Sequence, residues 1–184
     1  KGSFIMEKTK KLFACFTDVR AIVAMALFIA LSIVFGKFLA FNLTSSIRIS
    51  FENLPIIIAG VAFGPVAGAV VASVADLIGC ILVGYTINPM ITMGAVTIGL
   101  LAGLFGKINC NRFLKSILVV VPAHFVGSII IKTIGLYVYF KLPFWLTFAS
   151  RAGVYAITAI AEIAIINIIF SQKIIQRFGG LRKK

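Results

Sequence analysis

The sequence predicts an all-α integral membrane protein with six transmembrane helices, a short second helix and both termini in the cytoplasm. Composition, the lengths of the apolar segments and the placement of the cations predict this architecture. Of the 184 residues, 61% are hydrophobic and 12% are charged, whereas soluble domains are about half apolar and about a quarter charged. This composition excludes an ordinary soluble domain and indicates a multi-pass protein of the lipid bilayer.

The predicted spans follow the apolar segments in chain order. Five segments are long enough to cross about 30 Å of hydrocarbon at about 1.5 Å per residue. They cover residues 19–38, 66–84, 88–106, 115–140 and 145–170. A sixth, residues 50–63, is shorter and ends at Gly64-Pro65, so it predicts the short second helix. Helix 4 also has a start signal, because Asn88 is a favourable cap and Pro89 suits the first helical position.

The chain is predicted to form one domain, because it contains no low-complexity linker and no clear internal repeat. The membrane domain at residues 19–170 lies between a basic cytoplasmic flank, residues 1–18, and a basic cytoplasmic tail, residues 171–184. Residues 1–5 precede Met6 and are a candidate expression remnant, so they carry no functional argument. The first apolar segment lacks a convincing cleavage site, which favours a retained span over a signal peptide.

The lysines and arginines predict the orientation of the bundle. Thirteen lie on the side that carries both termini: Lys1, Lys8, Lys10, Lys11, Arg20, Lys107, Arg112, Lys115, Lys173, Arg177, Arg182, Lys183 and Lys184. Three lie on the opposite side: Lys37, Arg48 and Lys141. The positive-inside rule then makes both termini cytoplasmic, and an even number of spans agrees. The basic excess therefore indicates topology rather than nucleic-acid binding, since no basic stripe interleaved with aromatic residues accompanies it.

Ionisable side chains inside hydrocarbon are costly and normally face a cavity or a partner, so their depth indicates function. In the predicted orientation, six of them gather in the outer half of the bundle: Lys37, Arg48, Glu52, Asp76, Lys132 and Arg151. Lys132 is about 12 Å below the outer end of helix 5, and Arg151 is about 9 Å into helix 6. Four cations against two carboxylates leave surplus positive charge, which predicts an anionic ligand that enters from outside.

Structural roles remain open for each of these residues. Arg48 and Glu52 stand four positions apart at the start of helix 2 and can pair on one helix face. Lys37 can extend to the lipid headgroups. Asp76 can form a salt bridge with Lys132 or Arg151.

Uncharged polar candidates lie between helices 3 and 4. Tyr85, Thr86, Asn88 and Thr92 can hydrogen-bond a heterocyclic ligand, and helix capping is the structural alternative for Asn88. Trp145 begins helix 6 at the outer interface. An aromatic belt is its default role, and stacking on a ligand is the alternative.

Neither catalysis nor a metal or cofactor site is predicted. The sequence has no phosphate-binding G-x-x-x-x-G-K-[ST] loop, no H-E-x-x-H motif and no nucleophile constellation. His124 with a distant Glu162 cannot supply the three or four ligands of a metal site, so His124 is interpreted as hydrogen-bonded within the bundle. Cys15, Cys80 and Cys110 are interpreted as free thiols. Because coupling groups and internal repeats of a carrier are also missing, uphill transport requires a partner.

Small residues predict close helix packing in lipid. They recur at every fourth position in helices 2 and 3 and again in helix 4: Gly60, Gly64, Gly68 and Ala72, then Ala95, Gly99 and Gly103. These two faces are expected to pack together. Helix 1 carries a further pair, Ala26 and Ala30, one turn apart among bulky residues. Internal packing and a lipid-facing surface that docks a separate membrane subunit are the two interpretations of this alanine pair.

Three features of the chain carry a family resemblance. They are the alanine pair, "RISFENLPIIIAGVAFGPVAGAVVASVADLIG" from Arg48 to Gly79, and "INPMITMGAVTIGLLAGLFG" from Ile87 to Gly106. The chain resembles, from about Val19 to Phe170, the substrate-binding S components of energy-coupling-factor (ECF) vitamin transporters. The resemblance implies a protein of the prokaryotic plasma membrane that captures a vitamin from outside. It also implies docking, through Ala26 and Ala30, on a transmembrane coupling subunit driven by two cytoplasmic ATPases.

Within that superfamily the sequence looks most like the folate-specific branch, which implies folate as the ligand. The predicted substrate-binding residues are Lys37, Arg48, Asp76, Tyr85, Asn88, Thr92, Lys132, Trp145 and Arg151. The folate branch commonly has an aromatic-Pro-Gly-Phe-Thr run at the start of helix 4, whereas this chain has INPMIT from Ile87 to Thr92. A different vitamin or a nucleobase-like solute is therefore an alternative, and a self-contained secondary transporter is an alternative of another class.

Overall fold

The computed structural model describes residues 16–44 and 47–172, with the backbone alone for residues 42–44 and 47–48. Its helices are α1 (Val19–Phe38), α2 (Asn53–Phe63), α3 (Pro65–Val83), α4 (Pro89–Phe105), α5 (Arg112–Phe140) and α6 (Phe144–Ser171). Two short strands, β1 (Phe41–Thr44) and β2 (Ile47–Ile49), join α1 to α2. The six predicted helices are confirmed, with each boundary within three residues of its prediction. The outer parts of the predicted basic flanks lie outside the described residues.

Helix lengths agree with a membrane bundle. α1, α3, α5 and α6 are long and apolar enough to cross a bilayer, whereas α2 and α4 are shorter apolar helices. With 11 residues, α2 spans only about 16 Å, so the prediction of a short second helix is confirmed. Most of α2 is buried among its neighbours, so it contributes to the core of the bundle.

The β-hairpin between α1 and α2 was not predicted. It is antiparallel, with Phe41 opposite Ile49 and Asn42 opposite Arg48. The prediction that Arg48 opens helix 2 is therefore wrong, because Arg48 belongs to β2 and the helix begins at Asn53. Isoleucines alternate with other residues here, a pattern that suits a strand more than a helix start.

Two of the long helices contain wider, π-helical turns. α1 ends in one at Val34–Phe38, and α5 contains one at His124–Ile131. In α5 the π-helical segment follows Pro122, which has no backbone N–H and cannot continue the regular hydrogen-bond ladder. π-Helical turns often occur at functional sites, and these two contain Lys37, His124 and Ser128.

Small residues pack α2 and α3 against α4, as predicted. A Cβ atom at Gly60 or Gly68 would lie 2.6 Å from the Gly99 carbonyl oxygen, so the backbones are in direct contact. Gly103 approaches Pro65 in the same way. The predicted helix break is confirmed too, because Gly64 has a φ of 101°, a conformation that glycine adopts readily.

Replacing Gly99 with alanine should destabilise the protein by about 1–3 kcal/mol, the usual cost of overpacking. The added methyl group would meet the Gly68 backbone, which cannot move away as a flexible side chain would. Thermal unfolding in detergent measures the effect. Gly153→Ala is the matched control, because open space surrounds Gly153. Equal stability of Gly99→Ala and wild type would contradict the packing described here.

The alanine pair lies on the outer surface of α1. Ala21, Met25 and Phe28 face the core, whereas Ala26 and Ala30 are exposed. Within the described part of the chain, the interpretation of this pair as internal packing is therefore wrong. A small-residue surface facing lipid is available for contact with another membrane helix.

Candidate functional site

A cavity of about 450 Å³ opens at the end of the bundle where α1, α3 and α5 end and α2, α4 and α6 begin. In the predicted orientation this is the outer end. Residues of five helices, α1 and α3 to α6, and of the connections beside them line it: Lys37, Ser50, Glu52, Asp76, Cys80, Gly84, Tyr85, Thr86, Ile91, Lys132, Leu136, Phe140, Arg151 and Tyr155. The lining thus combines charged groups, aromatic rings and an apolar wall from α4 and α5.

Lys132 lies at the centre of the charged part of the lining. Its side chain is 4% exposed, and its Nζ donates to Glu52 Oε1 at 3.2 Å. A buried ammonium group requires such a partner, because burial of an unpaired charge is costly. The pair joins α5 to the start of α2, residues that are 80 positions apart.

Glycines make room for both members of this pair. A Cβ atom at Gly94 of α4 would lie 2.6 Å from Lys132 Cγ, and one at Gly36 of α1 would lie 2.8 Å from Glu52 Cβ. Side chains at these two positions would therefore displace the ion pair. Glycines of α1 and α4 thus leave space for the Lys132–Glu52 ion pair, in addition to the role of small residues in helix packing.

Lys37 forms another wall of the cavity. Its Nζ lies 4.0 Å from Cys80 Sγ and 5.5 Å from the centroid of the Tyr85 ring. The side chain therefore lies over an aromatic face inside the cavity, an arrangement that favours a cation. This placement differs from the alternative in which Lys37 extends to the headgroups.

Asp76 accepts a hydrogen bond of 2.6 Å from Thr92 Oγ1. Thr92 also approaches the Asn88 carbonyl oxygen at 3.3 Å, so it links α3 to the start of α4. The predicted salt bridge of Asp76 with Lys132 or Arg151 is not formed among the described residues. Asp76 therefore keeps a carboxylate face toward the cavity.

Arg151 is held by α5 and by its own helix. Its Nε donates to the Ser128 carbonyl oxygen at 3.1 Å, and its Nη2 donates to the Tyr155 hydroxyl at 3.1 Å. The guanidinium carbon also lies 5.2 Å from the centroid of the Tyr155 ring. A guanidinium group has five N–H donors, so donors remain for a ligand in the cavity.

The other predicted residues are placed differently. Asn88 is buried and caps α4, with its Oδ1 accepting from the Met90 N–H at 3.0 Å and its Nδ2 donating to the Gly135 carbonyl oxygen at 3.3 Å. Trp145 is 79% exposed and packs beside Phe144 and Phe148 outside the cavity. The Arg48 side chain lies outside the described residues. A ligand role for these three remains a prediction.

Tyr155, Glu52 and Cys80 line the cavity but were not among the predicted binding residues. Tyr155 follows Arg151 by four positions, so it lies on the same helix face, and this spacing was the available sequence signal. Glu52 was recognised as an outer acid only. Nothing in the sequence distinguished Cys80 from a packed thiol.

The cavity carries a surplus of positive charge among its described side chains. Three cations, Lys37, Lys132 and Arg151, face two carboxylates, Glu52 and Asp76. Because the Glu52 carboxylate is already paired with Lys132, Lys37 and Arg151 are the cations available to an anion. A ligand with an anionic end and a flat polar ring would suit this combination of cations, aromatic rings and hydroxyl groups.

The chain is similar to known proteins in sequence and in fold. A family model described as "ECF transporter, substrate-specific component" matches residues 20–175. The folate transporter FolT of Clostridium novyi (strain NT) is 33% identical over 88 residues, which cover 44% of this chain and 49% of that protein. The chain thus spans about half the length of this curated relative.

Two solved structures share the fold. The crystal structure of FolT bound with folic acid has a TM-score of 0.70 at 25% identity, covering 84% of this chain and 94% of FolT. The S component for biotin from an ECF-type ABC transporter has a TM-score of 0.64 at 18% identity, covering 83% and 92%. At that lower identity the likeness concerns the fold alone.

Proposed function

The chain belongs to the substrate-specific components of ECF transporters, and from this premise we propose that it captures folate from outside the cell with high affinity. The observation that supports this proposal most is the cavity with surplus positive charge at the predicted outer end of the bundle. The likeness to FolT bound with folic acid extends over most of both chains. We further propose the bacterial plasma membrane as its location, which agrees with a bacterial relative.

Folate suits the chemistry of the lining. Its glutamate tail carries two negative charges, for which Lys37 and Arg151 are available. Its pterin ring offers hydrogen-bond donors and acceptors together with a stacking face, for which Tyr85 and Tyr155 are available. A volume of about 450 Å³ lies within the usual range of small-molecule sites, about 300–1,000 Å³.

We also propose that transport requires partners. The ATPase activity is assigned to two cytoplasmic subunits, because this chain has no phosphate-binding loop. A transmembrane coupling subunit would dock on the exposed alanine pair of α1. Uptake by the chain alone in liposomes, driven by an ion gradient, would instead support a self-contained carrier.

A second candidate is an S component for another vitamin or a nucleobase-like solute. The observation that favours it is the INPMIT sequence at the start of α4, where the folate branch commonly has an aromatic-Pro-Gly-Phe-Thr run. Ile91 of this stretch lines the cavity, so the difference lies where a ligand would contact it. This candidate shares the fold and the partners and differs only in the ligand.

Mass spectrometry of the small molecules released from the purified protein separates the two candidates. Folate or a reduced folate near one molecule per chain is the expected result. A different vitamin at that ratio would support the second candidate and contradict folate as the ligand. Protein from cells grown with labelled folate provides the control for adventitious carry-over.

Arg151→Gln should weaken folate binding by about tenfold to a hundredfold, because hydrogen bonds to charged groups contribute about 1.5–3 kcal/mol. A pterin without the glutamate tail should lose much less affinity, since it carries no carboxylate for Arg151 to bind. Titration of the purified protein with both ligands measures this difference. Lys141→Gln, at an exposed cation outside the cavity lining, is the matched control. Equal losses of affinity for both ligands would indicate that Arg151 has a structural role.

A further inference from the structure

A buried polar cluster lies in the bundle beneath the cavity and is separate from its lining. His124 Nε2 and Glu162 Oε2 are 2.5 Å apart, and His124 Nδ1 lies 3.3 Å from Ser128 Oγ. Glu162 and Ser128 are fully buried, and His124 is 2% exposed. One proton between His124 and Glu162 satisfies both facing atoms and fixes the orientation of the imidazole ring.

This cluster touches the cavity residues by two routes. The Ser128 carbonyl oxygen accepts the hydrogen bond from Arg151 Nε. The His124 ring lies 5.1 Å from the Tyr155 ring, centroid to centroid, with an interplanar angle of 31°. Since Arg151 also donates to the Tyr155 hydroxyl, both routes end at the same guanidinium group.

Stability alone does not account for the cluster. Replacing a buried ionisable pair with apolar residues is often neutral or stabilising. In addition, Glu162 Oε1 has no protein hydrogen-bond partner within the described residues, so the carboxylate is incompletely satisfied. Buried polar groups with an unmet requirement call for an explanation, and a role in holding Arg151 through Ser128 and Tyr155 would supply one.

We propose that Glu162 and His124 are positioning residues for ligand binding, which act through Ser128 and Tyr155 to hold the Arg151 guanidinium in the cavity. Glu162 fixes the His124 ring. That ring packs against the Tyr155 ring, and its Nδ1 lies within hydrogen-bond distance of the Ser128 hydroxyl. A pre-ordered arginine loses less conformational entropy when an anion binds, so affinity increases. The proposal rests on the proposed binding of an anionic vitamin at this cavity.

The first test needs no ligand and uses the single histidine of the chain. Protein labelled with ¹⁵N-histidine and purified without a histidine tag gives the Nδ1 and Nε2 resonances of His124 alone. Arg151→Gln and Tyr155→Phe should each shift these resonances, since both variants break contacts that lead to the ring. Lys37→Gln removes another cavity cation without a contact to the cluster among the described residues, and it should leave them unchanged. Unchanged resonances in both Arg151→Gln and Tyr155→Phe would overturn the proposal.

The second test is a double-mutant cycle with folate as the probe. Glu162→Gln keeps the shape of the side chain but replaces a carboxylate acceptor by a weaker, neutral one, and it should weaken folate binding about fivefold to tenfold. In the Arg151→Gln background it should cause no further loss, because the group that it positions is gone. Ser128→Ala, which keeps the carbonyl oxygen, provides a milder second variant if Glu162→Gln does not fold.

The outcomes separate the two proposals. Additive losses in the cycle, with folate bound by the wild type, would overturn the positioning role and leave the proposed function intact. A wild type that binds no folate would overturn the proposed ligand and with it the role in folate binding, whereas the histidine resonances would still show whether the cluster is coupled to Arg151.

Discussion

Replacing Ala26 or Ala30 with leucine should abolish vitamin uptake by the assembled transporter while leaving ligand binding intact. Both alanines are exposed on α1, so the residues that the structure describes leave room for a larger side chain there. Helices in lipid associate through close packing of small residues, and an isobutyl group would hold the coupling subunit away. We expect uptake to fall more than about tenfold, to the level of the coupling module alone.

Two measurements on the same preparation check this result. ATP-driven uptake of labelled folate into proteoliposomes measures coupling, and titration of the purified chain measures binding. Ala164→Leu, at an exposed alanine of α6, is the matched control and should leave uptake unchanged. Loss of binding together with uptake would show that the alanine pair supports the fold of this chain, and an equal loss in Ala164→Leu would make the effect non-specific.

Lys132→Met should have the largest effect on ligand binding. The substitution removes a cavity cation that lies 3.2 Å from the Glu52 carboxylate. The net charge of the cavity becomes less positive by one unit, which disfavours an anionic ligand. A change of one unit charge about 8 Å from an anion is worth about 2 kcal/mol at an effective dielectric constant of about 20, so folate affinity should fall about thirtyfold or more.

A second variant separates the electrostatic effect of Lys132→Met on folate affinity from its effect on packing. Glu52→Gln combined with Lys132→Met also removes the negative charge of Glu52 and should restore part of the affinity. Lys141→Met controls for the general loss of a lysine from α5 and its end, because Lys141 is exposed and outside the cavity lining. Titration with folate and thermal unfolding of each variant distinguish the two effects. Full affinity in Lys132→Met, or no recovery in the double variant, would contradict this electrostatic account.

The helices could be predicted from sequence because the residues that determine a span lie within the span or directly beside it. A run of apolar residues bounded by charges gives both the length and the ends of a span, and a small residue at every fourth position marks the face that packs. The contact of Gly60 and Gly68 with Gly99 follows from that pattern. The hairpin at Phe41–Ile49 was missed because a short, partly polar segment gives a weak strand pattern.

The cavity was predictable only in part. Position along a helix gives the depth of a charged side chain, so Lys37, Asp76, Lys132 and Arg151 were placed at the same end of the bundle. The rotation of each helix about its axis is set by packing of all the others. The partners therefore could not be predicted, and Lys132 pairs with Glu52 rather than with Asp76.

For the alanine pair too, the sequence did not give the rotation of the helix about its axis. Its spacing indicated close packing but left open whether the partner helix belongs to this chain. Burial of Ala21, Met25 and Phe28 places the opposite face of α1 in the core, which leaves Ala26 and Ala30 outside. Only the assembled bundle provides that distinction.

Equilibrium titration of the ligand-free protein with folate, with biotin as the comparison ligand, shows whether the cavity binds the proposed vitamin. We expect saturable binding of one folate per chain at nanomolar concentration, and no binding of biotin in that range. Absence of folate binding at micromolar concentration, in protein that remains folded and releases no other bound solute, would contradict folate as the ligand.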